Sequence, residues 1–255
     1  MVRNLMQTAR AAAEAAGRAA RAHHRTEVRV ETKADRTPVT VADREAEAAA
    51  RAVIAAAYPD HRILGEESGE VGDGPLRWII DPIDGTRGFI RGGTFWGPVI
   101  GVEDGGQMVA GALALPALGE TYYAGKDLGC FRDDGVPCRV SKVSALEDAT
   151  LSLGELPLLV DRVPNLCALW KSFASVRCYG DLAAPIEVLR GRADLWMEAG
   201  VQHWDIAPMG LMIREAGGTC TTFDGRTEPF DGTAIGGVSA LWARLQPQLG
   251  AAADR

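Results

Sequence analysis

Basic charge is in short supply in this chain: 27 lysines and arginines stand against 34 acidic residues, a formal net charge of −7. That balance excludes the basic stripe of a nucleic-acid surface. Cysteine is sparse and unpatterned, because the five (Cys130, Cys138, Cys167, Cys178, Cys220) are odd in number and none sits in a Cys-x-x-Cys pair. Neither a disulfide framework nor a zinc ribbon is expected, and free thiols of a reducing, cytoplasmic compartment fit better. No apolar run approaches the roughly 18 residues of a membrane span. The alanine-rich segment from Met1 to Arg25 is broken by Arg10, Glu14, Arg18 and Arg21, so it lacks the apolar core of a secretory signal and reads as an amphipathic helix. No Gly-x-Gly-x-x-Gly follows a strand, the stretch from Gly119 to Lys126 lacks the spacing and hydroxyl of a P-loop, and Gly65-Glu66-Glu67-Ser68-Gly69 lacks the Gly-x-Ser-x-Gly elbow. Nucleotide hydrolase and serine hydrolase chemistry are therefore poor fits.

What is present suffices for a large core: 47% of the 255 residues are hydrophobic. Helices are expected near residues 3–25 and 41–57, the second opened by Asp43, Arg44, Glu45 and Glu47. Between them the stretch from Val28 to Thr40 alternates and turns at Pro38. Trp78-Ile79-Ile80 reads as a buried strand that delivers Asp81 at its end. Further strands are expected over Pro98 to Val102, Met108 to Leu115 and Glu120 to Ala124, with a hairpin turn at Gly105-Gly106. The second half alternates strands (Thr150 to Leu153, Ser175 to Cys178) with helices (Ala183 to Arg190, Ile206 to Ala216), the last capped by Gly217-Gly218. This is an α/β, layered α+β, organisation. We expect one domain over residues 1–255 built of two packed lobes: an N-terminal α+β lobe over 1–140 and a C-terminal α/β lobe over 141–255.

The six residues Asp81-Pro82-Ile83-Asp84-Gly85-Thr86 carry the most chemistry. Pro82 biases Asp81 toward an extended conformation, so that two carboxylates three positions apart can converge on one point. Gly85 then permits a tight turn with bare backbone N–H groups for an anion. Read alone, the stretch is equally an ordinary Asp-Gly turn after a buried strand. Three further acids stand in settings unlike a solvated helix face. Glu66 and Glu67 sit between strand and loop, and Asp205 precedes a helix, where it would serve equally as an N-cap. Together they form an oxygen-only set suited to magnesium, manganese or calcium, whereas His23, His24, His61 and His203 show no zinc spacing.

At these residues the chain resembles the inositol monophosphatase superfamily of magnesium-dependent phosphatases. The matching segments are Lys33-Ala34-Asp35-Arg36-Thr37-Pro38-Val39-Thr40 with Asp43; Gly65-Glu66-Glu67-Ser68; Trp78-Ile79-Ile80 through Thr86; and Trp204-Asp205-Ile206-Ala207 leading to Glu215-Ala216-Gly217-Gly218. The resemblance implies an αβαβα sandwich of the inositol monophosphatase and sugar phosphatase type, a homodimer, and two to three Mg2+ ions, with Mn2+ as a substitute. It implies that Glu66, Asp81 and the Ile83 carbonyl hold one metal, that Asp81, Asp84 and Asp205 hold a second, and that a third, weaker one lies near Glu66. Glu66 and Thr86 would orient the attacking water, with the Thr86 hydroxyl held by Asp43. Gly85 and Thr86 N–H groups would bind phosphate, and Lys33 and Asp35 would lie on a loop beside the weak metal.

Three features resemble the histidinol-phosphate phosphatase branch: Arg87 after the threonine, the segment Ala114-Leu115-Pro116-Ala117-Leu118-Gly119-Glu120, and Arg177-Cys178-Tyr179-Gly180-Asp181. Asp181 and Glu198 would face the ammonium and imidazole of histidinol, alongside Asp84 and Asp205 as substrate-side acids. The implied activity is hydrolysis of L-histidinol phosphate, a histidine-biosynthesis step. The alternatives are inositol-1-phosphate or broad sugar-phosphate hydrolysis and, from another class, a non-catalytic metal-binding regulator. Pro208, where alanine is commoner, departs from both branches and fits a helix's first turn.

Overall fold

Alanines spaced three and four apart give the first helix a flat apolar stripe, and that stripe sets how closely the rest can pack. The computed structural model describes residues 1–27, 29–33, 37–133, 135–230 and 232–253, with side chains described as far as residue 249. The chain divides into two units, Met1–Val136 and Pro137–Arg255.

The first unit contains α1 (Val2–His23), β1 (Glu31–Thr32), β2 (Pro38–Val39), α2 (Val41–Ala57), β3 (Arg62–Gly65), β4 (Gly69–Val71), β5 (Leu76–Asp84), α3 (Thr86–Ile90), β6 (Gly97–Asp104), β7 (Gln107–Leu115), β8 (Glu120–Gly125), β9 (Gly129–Arg132) and β10 (Val136–Pro137). Its main sheet has eight strands in the order β10-β9-β8-β7-β6-β5-β3-β4. Antiparallel pairing runs from β5 to β9, whereas β3 pairs parallel to β5. The helices α1 and α2 pack on each other and on this sheet. Leu5, Ala9, Ala12, Ala16 and Ala20 of α1 meet Ala42, Ala46 and Ala50 of α2, and Trp78, Ile80, Ile100, Val102, Ala110 and Ala112 rise to them from every second strand position. The small side chains let the backbones come close, and at Gly17 a Cβ would lie only 2.9 Å from Pro116 Cγ.

The stretch before α2 forms the hairpin β1–β2. Its end is fixed by a capping box: Thr40 Oγ1 accepts from the Ala42 N–H at 3.1 Å, and Asp43 Oδ2 accepts from the Thr40 N–H at 2.7 Å. The strand through Trp78 continues beyond its expected end and carries Asp81 to Asp84 inside β5. Asp81 opposes Val99 and Asp84 opposes Gly97, so three steps on β5 answer two on β6. This is a β-bulge, one of the few places in a sheet that tolerates proline, and it re-aims the side chains on either side of Pro82.

The second unit contains β11 (Thr150–Leu153), α4 (Leu156–Arg162), α5 (Leu166–Leu169), β12 (Ser175–Arg177), α6 (Ala183–Leu189), β13 (Leu195–Ala199), α7 (His203–Glu215), β14 (Thr219–Thr221), β15 (Thr233–Gly237) and α8 (Ser239–Ala253). Its sheet runs β12-β11-β13-β15-β14, with β11 parallel to both neighbours and β15 antiparallel to β13 and β14. Leu151, Leu153, Leu195, Met197, Ile235, Leu241 and Leu245 form its core cluster. Helix α7 starts at His203, earlier than expected, so Pro208 lies inside the helix and not in its first turn. Gly217 follows α7 at φ 88°, the left-handed position that ends a helix. The whole is a mixed α/β layered fold. Among the described residues no helix is long and apolar enough to cross a membrane.

Candidate functional site

In the first unit the bulge of β5, the end of β3 and the start of α2 deliver one set of polar groups. Parallel pairing brings Gly65 opposite Ile80, and the Glu66 N–H donates to the Ile80 carbonyl at 3.0 Å, which ties the acidic turn to β5. Asp81 is buried, and its Oδ1 accepts the Ile83 N–H at 3.0 Å. The carboxylates of Asp81 and Asp84 each offer an oxygen within 4.8 Å of the other. Thr86 Oγ1 donates to the Ile83 carbonyl at 3.0 Å and stands 3.5 Å from Asp43 Oδ1. The second distance is at the edge of hydrogen bonding, so the carbonyl is the main partner of this hydroxyl. Gly85 precedes α3 at φ 79°, ψ 35°, a left-handed conformation that glycine adopts at least cost.

Lys33 Nζ lies 2.7 Å from Glu66 Oε1 and 2.6 Å from Glu67 Oε1. Burial pulls the Lys33 ammonium down, but the bonds and charges of the two glutamates outweigh it and raise its pKa. Burial pushes Glu67 up against the opposing pull of Lys33. Burial likewise raises Asp43, against two stabilising bonds from Thr40 and with a weaker push from the charge of Glu66. Asp35, expected on the same loop as Lys33, lies outside the described residues.

The donor set suits a hard divalent cation. Every candidate ligand is an oxygen, and the Ile83 carbonyl keeps a second lone pair beyond the bond from Thr86. Glu66 is engaged by the Lys33 ammonium.

The second unit holds Asp181, Glu198 and Asp205. Asp205 is the third residue of α7, not a residue before it, and its Oδ2 accepts the Gln202 N–H at 2.8 Å. The reciprocal cap holds this carboxylate at the start of the helix. Asp181 is exposed and sits at φ 43°, a backbone region that non-glycine residues seldom enter. Glu198 is buried on β13 at 8% exposure. Its Oε1 accepts the Glu155 N–H at 2.6 Å and its Oε2 lies 3.4 Å from Trp196 Nε1. Burial pushes the Glu198 carboxyl up to about 7, and the charge of Asp181 adds to the rise.

One residue was read in the sequence only as part of a helix start. Glu47 of α2 is 1% exposed and bonds to the turn that carries Glu66. Its signal was there to find: it follows Asp43 by four residues, on the same helix face as the buried Ala42, Ala46 and Ala50.

Comparison with known proteins gives the family of the chain. The profile of the inositol monophosphatase family matches residues 1–255. A histidinol-phosphatase of Streptomyces coelicolor is 37% identical over 233 residues, covering 88% of this chain and 86% of that protein. An inositol-1-monophosphatase of Mesorhizobium japonicum is 34% identical over 216 residues, covering 81% and 80%. Among solved structures, the extragenic suppressor protein suhB of Bartonella henselae superposes with a TM-score of 0.88 at 32% identity, covering 96% of this chain and 98% of that one. The chain therefore belongs to the inositol monophosphatase family and is an enzyme of the phosphoric monoester hydrolase class.

Proposed function

We propose that this enzyme releases phosphate from a small phosphorylated alcohol in a magnesium-dependent reaction, and that L-histidinol phosphate is its substrate. In this proposal Asp81, Asp84 and Asp205 are carboxylate ligands of a divalent ion. The Glu66 carboxylate and the Ile83 carbonyl complete the proposed ligand set for two to three ions, which manganese would also fit. When bound, such ions neutralise phosphate charge and make water a better nucleophile near neutral pH.

The protein's own groups supply the geometry. The Thr86 hydroxyl donates its hydrogen to the Ile83 carbonyl, which leaves its oxygen as an acceptor that aims a water molecule. Glu66 orients the same water and receives its proton as the oxygen attacks phosphorus, while the bond from phosphorus to the alcohol oxygen breaks and that oxygen takes up a proton from solvent. The backbone N–H groups of Gly85 and Thr86 face the phosphate, and Asp43 steadies Thr86. Lys33 counters negative charge at Glu66 and Glu67.

The observation that carries the substrate choice is the buried Glu198 carboxyl, raised by burial and by the charge of Asp181. A buried acid with a second acid nearby gains most from a cation, and histidinol carries an ammonium and an imidazole whereas inositol carries neither. The relatives support the same class without choosing within it, since the identities to a histidinol-phosphatase and an inositol-1-monophosphatase lie close together. Phosphate release should be measured side by side on histidinol phosphate, inositol 1-phosphate and a sugar phosphate under magnesium titration. A preference for inositol 1-phosphate rejects the substrate choice. Magnesium binding with no release from any of the three leaves the non-catalytic regulator. In the same proposal the enzyme works in the cytoplasm as a homodimer.

A further inference from the structure

The face of α2 that presents Asp43 also presents Glu47, and the structure gives Glu47 more to do than fill space. Its Oε2 accepts the Glu67 N–H at 2.8 Å, and its Oε1 accepts the Ser68 hydroxyl and, at 2.8 Å, Arg51 Nε. Arg51 continues the contact from one helical turn further on, donating to the Gly69 carbonyl at 2.6 Å and to the Ile63 carbonyl at 3.4 Å. Gly65 completes the fit, because a Cβ there would fall 2.2 Å from Glu47 Oε1. Glu67, Ser68 and Gly69 of the turn thus bond to Glu47 or Arg51, and Gly65 leaves the room that Glu47 fills. Glu66 instead gives its N–H to Ile80 and extends its carboxylate toward Lys33.

We propose that Glu47 is a positioning residue: backed by Arg51, it clamps the turn from Gly65 to Gly69 so that the Glu66 carboxylate is held ready for its ligand. A buried carboxylate with three donors makes a stiff anchor, since charge-assisted bonds are short and strong and leaving any of them unmade is costly. The inference rests on the role proposed above for Glu66, and its test separates the two.

Glu47→Gln keeps the volume, removes the charge that holds Arg51 and turns an amide donor toward other donors. Hydrogen exchange at the Glu67 amide in the metal-free protein should accelerate about tenfold or more. The magnesium half-saturation, read both from phosphate release and from the thermal shift, should rise by about tenfold, as when the supporting partner of a metal ligand is removed. The KM for the phosphomonoester should stay unchanged. A merely structural defect would lower the active fraction without moving the half-saturation. Unchanged exchange overturns the clamp, and faster exchange with an unchanged half-saturation overturns its positioning role. If the wild-type protein itself shows no magnesium response in either readout, the role of Glu66 fails while exchange still judges the clamp. Should Glu47→Gln not fold, Ser68→Ala removes one donor at the turn and must shift the same readouts in the same direction.

Discussion

Replacing Glu198 by glutamine should remove a pH dependence of folding that this one carboxyl imposes. Burial raises its pKa from 4.5 to about 7. Between those values the folded protein holds a proton that the unfolded chain has released, so stability falls as pH rises through the window. The raised value is worth roughly 3 kcal/mol between pH well below 4.5 and pH well above 7. Glutamine keeps an acceptor for the Glu155 N–H and cannot ionise. Urea denaturation of both proteins at half-unit steps from pH 4.5 to 8 gives the difference in unfolding free energy, in which every other titration cancels. That difference should drift in favour of the variant by a few kcal/mol as pH rises. Parallel curves would refute the reasoning, because they would mean that the hydrogen bond from Glu155 and not burial sets the charge state of Glu198. The same variant tests the substrate proposal: a cationic alcohol stabilises the ionised carboxylate, so the KM for histidinol phosphate should rise about tenfold while that for inositol 1-phosphate moves far less.

Further expectations concern the acidic cluster, the glycine beside Glu198 and a histidine in the first unit. Asp81→Asn should lower magnesium-dependent phosphate release by at least about a hundredfold, since a carboxylate ligand is lost where charge matters most; a near-wild-type rate would defeat its assignment. Magnesium at a hundred times its dissociation constant should stabilise the wild type by about 2.7 kcal/mol, and Asp205→Asn should abolish most of that gain in a thermal melt. Gly154→Ala would place a Cβ 1.6 Å from Glu198 Oε2, and the forced displacement of a buried, bonded carboxyl should cost about 1–3 kcal/mol in urea denaturation. Trp78 Nε1 donates to His61 Nδ1 at 3.0 Å, and burial lowers the His61 pKa. The folded state therefore binds fewer protons, stability should fall as pH drops below the ordinary histidine value, and His61→Gln should flatten that part of the profile.

The segment from Asp81 to Thr86 was readable because its meaning is local. A proline restricts itself and the residue before it wherever it occurs, and a glycine three positions on allows one particular turn. Even so, the strand was expected to end at Asp81, and it runs on to Asp84. The bulge that reconciles proline with a sheet depends on pairing with Val99 and Gly97, which no periodicity within β5 encodes. The start of α7 was expected at Ile206, three residues late, for a similar reason. Helix α7 starts at His203 because Gln202 and Asp205 cap each other, a contact that carries the helix through Pro208 despite the lost hydrogen bond. Lys33 read as a loop residue beside a weak metal until the fold set it against Glu66 and Glu67.

By itself the sequence determined the mixed α/β character, the alanine face on which α1 and α2 pack, and the oxygen-rich chemistry of the acids around Pro82, because strand alternation, helical spacing and proline sterics act within a few residues. Tertiary structure alone decided which acids lose water and which partners they gain. Glu47 meets the Glu67 N–H across 20 residues of chain, and Glu198 meets the Glu155 N–H across 43. Desolvation and hydrogen bonding depend on what surrounds a group in space, so a carboxylate's charge, stiffness and use emerge only when distant segments close around it.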